Sequence, residues 1–245
     1  MRSPCGGASF SVSVNKKIGN RLLDALSSAT FAHIEPQLEP FELALGQEIH
    51  NPGDMAEFAY FPTSGLISVV ATMNDGASVE IGVAGNEGMF SVATILGDDT
   101  PSQQAMVQLP GKAVRVKARR FRREMQADVA MHAMMLRYTM ATLSAVAQTA
   151  ACNRLHNLEQ RCARWLLTAH DRAGDSRFPL THEFLAMMLG VRRPGVTLAA
   201  QSLQSTALIT YSHGIMTVLD REGLEAVSCE CYRAIQDDFS RLMKS

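Results

Sequence analysis

The sequence predicts an α+β protein in which an antiparallel barrel or jelly roll, a long helix and a winged helix-turn-helix follow one another along the chain. Short β-rich runs alternate with turn residues from Phe41 to Val116, which is typical of a small antiparallel barrel. Ala127 to about Arg154 has helical spacing and contains no Gly or Pro. Phe178 to Leu219 combines two short helical runs with a hairpin. The predicted boundaries are 1–17 (mobile tail), 18–123 (β-roll), 124–153 (long helix) and 154–245 (winged helix-turn-helix).

Length and composition favour two domains in a reducing compartment. The 245 residues can bury a core in each of two domains. A net charge of −1 excludes a uniformly basic nucleic-acid coat, but it allows a local basic surface. The chain has neither a run of transmembrane length nor a secretory signal pattern, and its five cysteines lack the spacing of a disulfide framework. We therefore expect a cytoplasmic protein without a membrane partner.

The N-terminal part leads into the predicted barrel. Gly, Ser and isolated apolar residues make the first residues a candidate mobile tail. Apolar spacing in Ile18 to Phe31 predicts a short amphipathic helix that packs as a lid on the barrel. Within the barrel, Leu66 to Met73 and Ser78 to Val83 are β-rich runs separated by an Asn-Asp-Gly turn.

A basic run closes the barrel region. Lys112 to Arg123 holds seven basic residues and no acid. It could form a patch for phosphate or a partner protein. The alternative is a solvated strand end followed by a short helix, and this is favoured because charge runs usually mark solvated faces.

The long helix carries two apolar seams at heptad spacing. The first comprises Val129, Ala133, Leu136, Met140, Leu143, Ala147 and Ala150, and the second comprises Met131, Met135, Tyr138, Thr142, Ala145 and Thr149. Two seams predict two buried faces, one on the barrel and one against the same helix of a second chain, as in a parallel coiled coil. The alternative is a core helix of a single chain.

The first helix of the helix-turn-helix has start and stop residues of its own. Thr181 is a candidate N-cap, since its hydroxyl can accept a backbone N–H of the first turn. Leu185, Met188 and Leu189 form one apolar stripe, and Gly190 can adopt the left-handed conformation that ends a helix.

The second helix begins near Pro194 and runs to about Ser205. Its apolar face consists of Val196, Ala199, Ala200 and Leu203, and its polar face of Arg193, Thr197, Gln201 and Gln204. Such polar side chains can contact base edges and phosphates in a major groove, but an ordinary solvated face would look the same. The following hairpin, with Ser212 and His213 before a turn Gly, favours DNA binding because it completes a winged unit whose tip can contact the backbone.

The stretch from Phe178 to Leu219, the two stretches that flank it and part of the barrel resemble the Crp/Fnr family of bacterial transcription regulators. NLEQRCARWLLTAHDR (157–172) and LDREGLEAVSCECYR (219–233) flank the helix-turn-helix, and EIHNPGDMAEFAYFPTSGLISVV (48–70) resembles the start of the family's cyclic-nucleotide-binding-like β-roll. The resemblance implies a homodimeric DNA-binding regulator with an N-terminal sensor. Its expected partners are double-stranded DNA, a second copy of the chain and RNA polymerase.

The resemblance also implies which residues contact DNA. We expect Arg193 at a base edge, with support from Arg192, Thr197 and Gln201, while Thr181 reaches a phosphate and Ser212 and His213 form the wing contact. Pro194 stands where the best-known members carry an acidic base-reading residue, and Leu198 where a second basic one is frequent. The operator is therefore expected to differ from the usual family palindrome.

The sequence lacks the side chains with which members of the family bind a cyclic nucleotide. Members that bind a cyclic nucleotide hold the ribose with a Glu and the cyclic phosphate with an Arg-Ser pair. Here Gln103 and Gln104 stand in place of Arg and Ser, and no carboxylate occurs from Met89 to Gly97. Without a cation a buried phosphate loses its charge-assisted hydrogen bonds, so we expect no response to cyclic AMP through the usual contacts. Candidate ligand residues are Glu87, Gly88, Met89, Gln103 and Gln104, with the effector unidentified.

The sequence predicts no cofactor, metal site or enzyme activity. It lacks an N-terminal cysteine cluster for an iron–sulfur centre and an evident haem ligand pair. A cupin-like metal enzyme would need clustered ligands, whereas the barrel offers only His50. Cys229 and Cys231 are predicted on a final helix from Leu224 to about Ile235, where residues two apart point in different directions. A signalling module that acts through protein partners, with a vestigial helix-turn-helix, is the remaining alternative.

Overall fold

The computed structural model describes residues 17–243, apart from the side chain of residue 242. The tail predicted for residues 1–17 lies outside the described residues except for Lys17, and so does Cys5. Within this range the predicted α+β class is confirmed: antiparallel sheets, a long helix and a helix-turn-helix with a wing follow one another along the chain.

Two antiparallel sheets form the β-roll. One sheet has three strands and the other has four. Alternate side chains of one strand enter different cores, since Phe61 packs on Phe121 (ring centroids 5.5 Å apart) and Tyr60 packs on Phe41 (5.2 Å). The strands are β1 (Glu39–Leu43), β2 (Glu48–His50), β3 (Phe58–Pro62), β4 (Leu66–Thr72), β5 (Ser78–Ala84), β6 (Gln104–Leu109) and β7 (Gly111–Lys117). Their order is β1-β7-β3 in the first sheet and β2-β6-β4-β5 in the second.

The N-terminal lid is two short helices, where the sequence predicts one. Helix α1 is Arg21–Asp24 and α2 is Ser28–Ile34, followed by a 3-10 turn. The helix restarts because the Ser27 hydroxyl accepts the backbone N–H of Thr30 at 3.1 Å and so caps α2. Leu22 is fully buried, so the lid still packs on the core as expected.

The basic run spans β7 and the start of α4 (Ala118–Ala127), which follows α3 (Val92–Leu96) in the chain. Four of its residues pair with carboxylates, which favours the interpretation as a solvated face. The pairs are Arg115–Glu39, Lys117–Glu57, Arg122–Asp99 and Arg123–Glu124.

The long helix α5 is Val129–Leu155, and Asp128 caps its N-terminus because its carboxylate accepts the backbone N–H of Met131 at 3.0 Å. In its second seam Met131, Met135 and Tyr138 are buried. They pack on the β-roll core and also on the last helix, since the Phe239 ring lies 6.1 Å from the Tyr138 ring. All seven residues of the first seam are exposed in the single chain.

The C-terminal unit is built on α6 (Leu158–Ala173), in which Trp165 is buried as predicted. The other elements are β8 (Arg177–Pro179), α7 (His182–Leu189), α8 (Arg193–Ser205), β9 (Ile209–Ser212), β10 (Ile215–Val218), α9 (Arg221–Val227) and α10 (Cys231–Met243).

The predicted final helix from Leu224 to about Ile235 is wrong. The chain leaves α9 at Ser228, whose ψ of 158° is extended, and α10 begins at Cys231 and runs back along α5. Cys229 therefore lies in a link and not on a helix. Cys229 and Cys231 are therefore not two positions on one helix, and the predicted divergence of their side chains, which holds only for helical geometry, is not imposed.

Candidate nucleic-acid interface

Helix α7 has the ends that the sequence predicts. The Thr181 hydroxyl accepts the backbone N–H of Phe184 at 3.2 Å, which satisfies one of the free donors of the first turn. Gly190 ends the helix with φ +63°, a conformation that costs other residues free energy. Leu185, Met188 and Leu189 are buried, so the stripe anchors α7 in the core.

Helix α8 is anchored through one face. Arg192 is its N-cap residue and Pro194 lies in its first turn, where the missing N–H has no cost. The predicted apolar face is confirmed as buried, and it packs over α6 in one core with α7 and the wing. The opposite flank is therefore held at a fixed orientation toward solvent.

The exposed flank of α8 contains the predicted base-reading residues. The Arg193 side chain is 66% exposed and its Nε lies 4.0 Å from a carboxylate oxygen of Glu183, itself largely exposed, so this pair is weak. Gln201 is exposed as well. The side-chain oxygen of Gln204 accepts the backbone N–H of Tyr211 at 2.6 Å, which ties α8 to the wing. Gln204 is therefore not among the residues free to contact a base.

Thr197 and a residue missed by the sequence analysis, His182, form a small polar contact beside this flank. The Thr197 hydroxyl donates to the Arg193 carbonyl and lies 3.1 Å from Nδ1 of His182. The His182 ring stacks on Tyr211 with centroids 4.2 Å apart. Burial and the charge of Arg193 lower the pKa of His182, which favours its neutral form. Thr197 thus helps to hold α7, α8 and the wing together.

The wing is a three-stranded antiparallel sheet in the order β8-β10-β9. His213 (φ 52°) and Gly214 (φ 76°) form its two-residue turn, in which both residues have positive φ. Ser212 and His213 are exposed at the tip, and the Ser212 hydroxyl lies 2.8 Å from Nδ1 of His213. The third strand was missed, and it adds an exposed basic residue, Arg177, opposite Thr217.

The helix-turn-helix packs directly on the β-roll. A Cβ added at Gly190 would lie 2.9 Å from Cγ2 of Val79 in β5, so the turn touches this strand. Trp165 of α6 donates from Nε1 to Glu80 at 2.9 Å, and the same carboxylate accepts from Ser68 at 2.6 Å. Burial raises the pKa of Glu80 to about 7, although these two hydrogen bonds act in the opposite direction.

The residues predicted to contact an effector lie in two separate places. Glu87, Gly88 and Met89 pack on α5 and α6: Glu87 pairs with Arg172, and Met89 exchanges two backbone hydrogen bonds with the Tyr138 hydroxyl, at 2.8 and 2.9 Å. A Cβ on Gly88 would lie 2.3 Å from the Tyr138 ring. Gln104 lies in β6, opposite Val70 of β4, and the Gln103 amide donates to the Ser102 hydroxyl. Among the described residues, neither glutamine contacts Glu87.

Comparison with known proteins identifies both parts of the chain. The cyclic nucleotide-binding domain model matches residues 40–128, and the Crp-like helix-turn-helix domain model matches residues 160–227. No curated protein matches the sequence. Among the described residues, no helix has the length and apolar character needed to span a membrane.

Solved structures of low sequence identity share the fold. A protein of Eubacterium rectale, assigned to the Crp/Fnr family as a transcriptional regulator, is 20% identical with a TM-score of 0.66, and the match covers 84% of this chain and 96% of that one. FixK2 of Bradyrhizobium japonicum is 16% identical with a TM-score of 0.66, covering 78% and 98%. The c-di-GMP-responsive global regulator CLP of Xanthomonas campestris is 15% identical with a TM-score of 0.60, covering 78% and 99%.

Proposed function

Because the chain belongs to the Crp/Fnr family of transcription regulators, whose members and structural neighbours are regulators and not enzymes, we propose that it acts as a homodimer that binds a specific DNA sequence through α8. The observation that carries this proposal is the contrast between the two faces of α8. One face is locked in the core, and the other presents Arg193 and Gln201 to solvent. A rigid helix with a free polar flank can enter a major groove without rearrangement.

The residues expected to contact DNA have separate roles in this docking. Arg193 donates to the base edge, with guanine favoured because its two acceptors match a guanidinium. Arg192, Thr181 and the wing tip at Ser212 and His213 lie around this flank and contact phosphates. Thr197, whose hydroxyl is engaged within the chain, supports Arg193 through their hydrogen bond. Gln201, one helical turn after Thr197, extends the reading surface along the groove.

The first seam of α5 is the proposed dimer interface. Val129, Leu136, Met140 and Leu143 are between 46% and 85% exposed in the single chain, and they lie along one line of the helix. Pairing with the same seam of a second chain would remove this apolar stripe from water. Two α8 helices that enter successive major grooves on one face of DNA lie about 34 Å apart, one turn of DNA, so a two-fold dimer predicts a palindromic operator with half-sites at that spacing.

The sensor is proposed to respond to a ligand other than cyclic AMP. The charge of Glu87 is already neutralised by Arg172. The Tyr138 side chain occupies the space beside Gly88 and binds the backbone of Met89, so these three residues have no free group for a ribose. A cavity of about 80 Å³ lies where β5, α5, α6 and α10 meet, with Glu80, Arg164 and Arg172 in its lining. An effector that enlarges this cavity would move the β-roll against α6. We extend the proposal to RNA polymerase, which a DNA-bound dimer contacts or excludes at the promoter.

Genome-wide footprinting of the tagged protein tests the proposal. We expect protection of palindromic sites with half-sites one helical turn apart. Calorimetry with cyclic AMP should give no tight binding. A chain that stays monomeric and binds no double-stranded probe at low salt would contradict the proposed function.

A further inference from the structure

Three cysteines and one histidine converge at the point where the long helix ends. Cys152 lies in the last turn of α5 and His156 directly follows that helix, while Cys229 lies in the link between α9 and α10 and Cys231 is the first residue of α10. Their candidate ligand atoms all lie within 4.8 Å of one another. The three cysteines are almost completely buried, and among the described residues they form a cluster apart from the three larger cores.

The distances fit one small tetrahedral ion. Sγ of Cys152 lies 3.5 Å from Sγ of Cys229, and Sγ of Cys231 lies 3.6 Å from Nδ1 of His156. Zinc bonds of about 2.3 Å to sulfur and 2.0 Å to nitrogen give tetrahedral edges of roughly 3.5 to 3.8 Å. A disulfide between Cys152 and Cys229 would involve only two of the four groups and would not explain why Cys231 and His156 lie beside them.

The outer contacts of the cluster are those that metal ligands use. Nε2 of His156 lies 3.2 Å from the Glu230 carboxylate, which leaves Nδ1 turned toward the cysteines. A carboxylate on the far nitrogen of a ligand histidine fixes its tautomer and strengthens it as a donor. Gln148 donates from Nε2 to Sγ of Cys231 at 3.0 Å, as an amide does to a metal-bound thiolate.

The charges around the cluster are compatible with a zinc ion bound by three thiolates and one imidazole. Zinc with three thiolates and a neutral imidazole carries a net charge of −1. Two arginines of α6, Arg161 and Arg164, are more than nine-tenths buried and interact electrostatically with Cys152. The Nε atom of each has no hydrogen-bond partner among the described residues. Their positive charges would offset the buried anionic centre.

We propose that Cys152, His156, Cys229 and Cys231 bind one Zn²⁺ in a closed structural site that fastens the end of α5 to the link before α10. Four protein ligands leave no open position for a substrate, which is the mark of a structural site. The site would fix α10 along α5, and through α9 it would fix the position of the helix-turn-helix. The proposal does not depend on DNA binding, because metal content can be measured without DNA.

The test uses the full chain, purified anaerobically from cells grown with zinc and dialysed against metal-free buffer. We expect one zinc per chain by mass spectrometry of the metal. Replacement by Co²⁺ should give the visible spectrum of tetrahedral cobalt with thiolate-to-metal charge transfer. Wild-type protein that holds no zinc would overturn the proposal, and so would a Cys152–Cys229 disulfide in this anaerobic protein.

Matched variants locate the site. Cys229→Ala and Cys231→Ala should lose the zinc, whereas Cys162→Ala, which removes an equally buried thiol from another core, should keep it. Glu230 is mostly exposed, so Glu230→Gln leaves the fold intact and should weaken zinc affinity about 10- to 100-fold. Zinc retained equally by Cys229→Ala and Cys162→Ala, or an affinity unchanged in Glu230→Gln, would contradict the assignment.

Discussion

Arg172 and Glu87 form an ion pair that joins the first helix of the DNA-reading unit to the sensor. Nη2 of Arg172 lies 2.8 Å from Oε1 of Glu87, and both side chains are largely buried. The same carboxylate oxygen accepts the backbone N–H of Gly85 at 3.2 Å. Since a buried charge without its partner is costly, each residue depends on the other, and the two units are coupled at this point.

Removal of one partner should therefore destabilise the protein strongly. We expect Glu87→Ala to lower the free energy of unfolding by about 3–5 kcal/mol, because Arg172 would remain buried and unpaired. Urea denaturation monitored by Trp165 fluorescence measures the change. Glu39→Ala, which breaks a partly exposed pair with Arg115, should cost at most about 1 kcal/mol. Equal losses in the two variants would argue against a structural role for the buried pair.

Glu80 should make stability depend on pH. Burial raises its pKa to about 7, against 4.5 for the free side chain. Between these values the folded chain holds a proton that the unfolded chain has lost. Stability from this group is therefore full below about pH 4.5 and falls as pH rises to about 7. The shift corresponds to roughly 3 kcal/mol at most.

Glu80→Gln isolates this effect, because the amide oxygen can accept from Trp165 and the amide N–H can donate to the Ser68 hydroxyl, while the amide does not titrate. The difference in unfolding free energy between wild type and variant should change with pH over the same range. Glu42→Gln, at an exposed carboxylate, should keep the wild-type slope. If Glu80→Gln also kept that slope, the raised pKa would be excluded.

The helix-turn-helix could be predicted from the sequence because its determinants are local. Thr181 caps α7, Gly190 ends it and Pro194 opens α8, each within a few residues of the group it satisfies. The exposed seam of α5 could likewise be predicted from its period. Local chemistry and regular spacing are what a single sequence displays directly.

The parts that the sequence did not predict depend on distant partners. Cys152 and Cys229 are 77 residues apart and meet only because α10 folds back along α5. No Gly or Pro next to Ser228 indicates that the helix breaks there. The three-residue strand β8 is too short to show an alternation of apolar and polar residues. In each case tertiary packing decides the local structure, as it often does where propensity is weak.

The exposed seam of α5 predicts a variant that separates the dimer. Leu143→Glu puts a charge on a side chain that is 60% exposed in the single chain, so the fold of each chain should survive. In a dimer the charge would be buried against its own copy, at a cost of several kcal/mol. We expect a monomer by sedimentation equilibrium. Leu45→Glu, at 56% exposure on the β-roll, is the control and should stay dimeric. A dimeric Leu143→Glu protein would place the interface elsewhere.

Two arginines of the reading unit should affect DNA binding in different ways. Arg193, on the free flank of α8, is proposed to contact a base, so Arg193→Ala should cost about 1–3 kcal/mol and relax the preference at one position of each half-site. Arg177 is exposed on the wing, opposite Thr217, and is proposed to contact a phosphate and no base. Its loss should weaken binding to all sequences alike and lower the slope of affinity against salt by about one per chain. Titration of operator and scrambled DNA at several salt concentrations separates the two, with Arg233→Ala on α10 as the control. A specificity unchanged in Arg193→Ala would contradict the proposed docking, since Arg193 is the only arginine in α8.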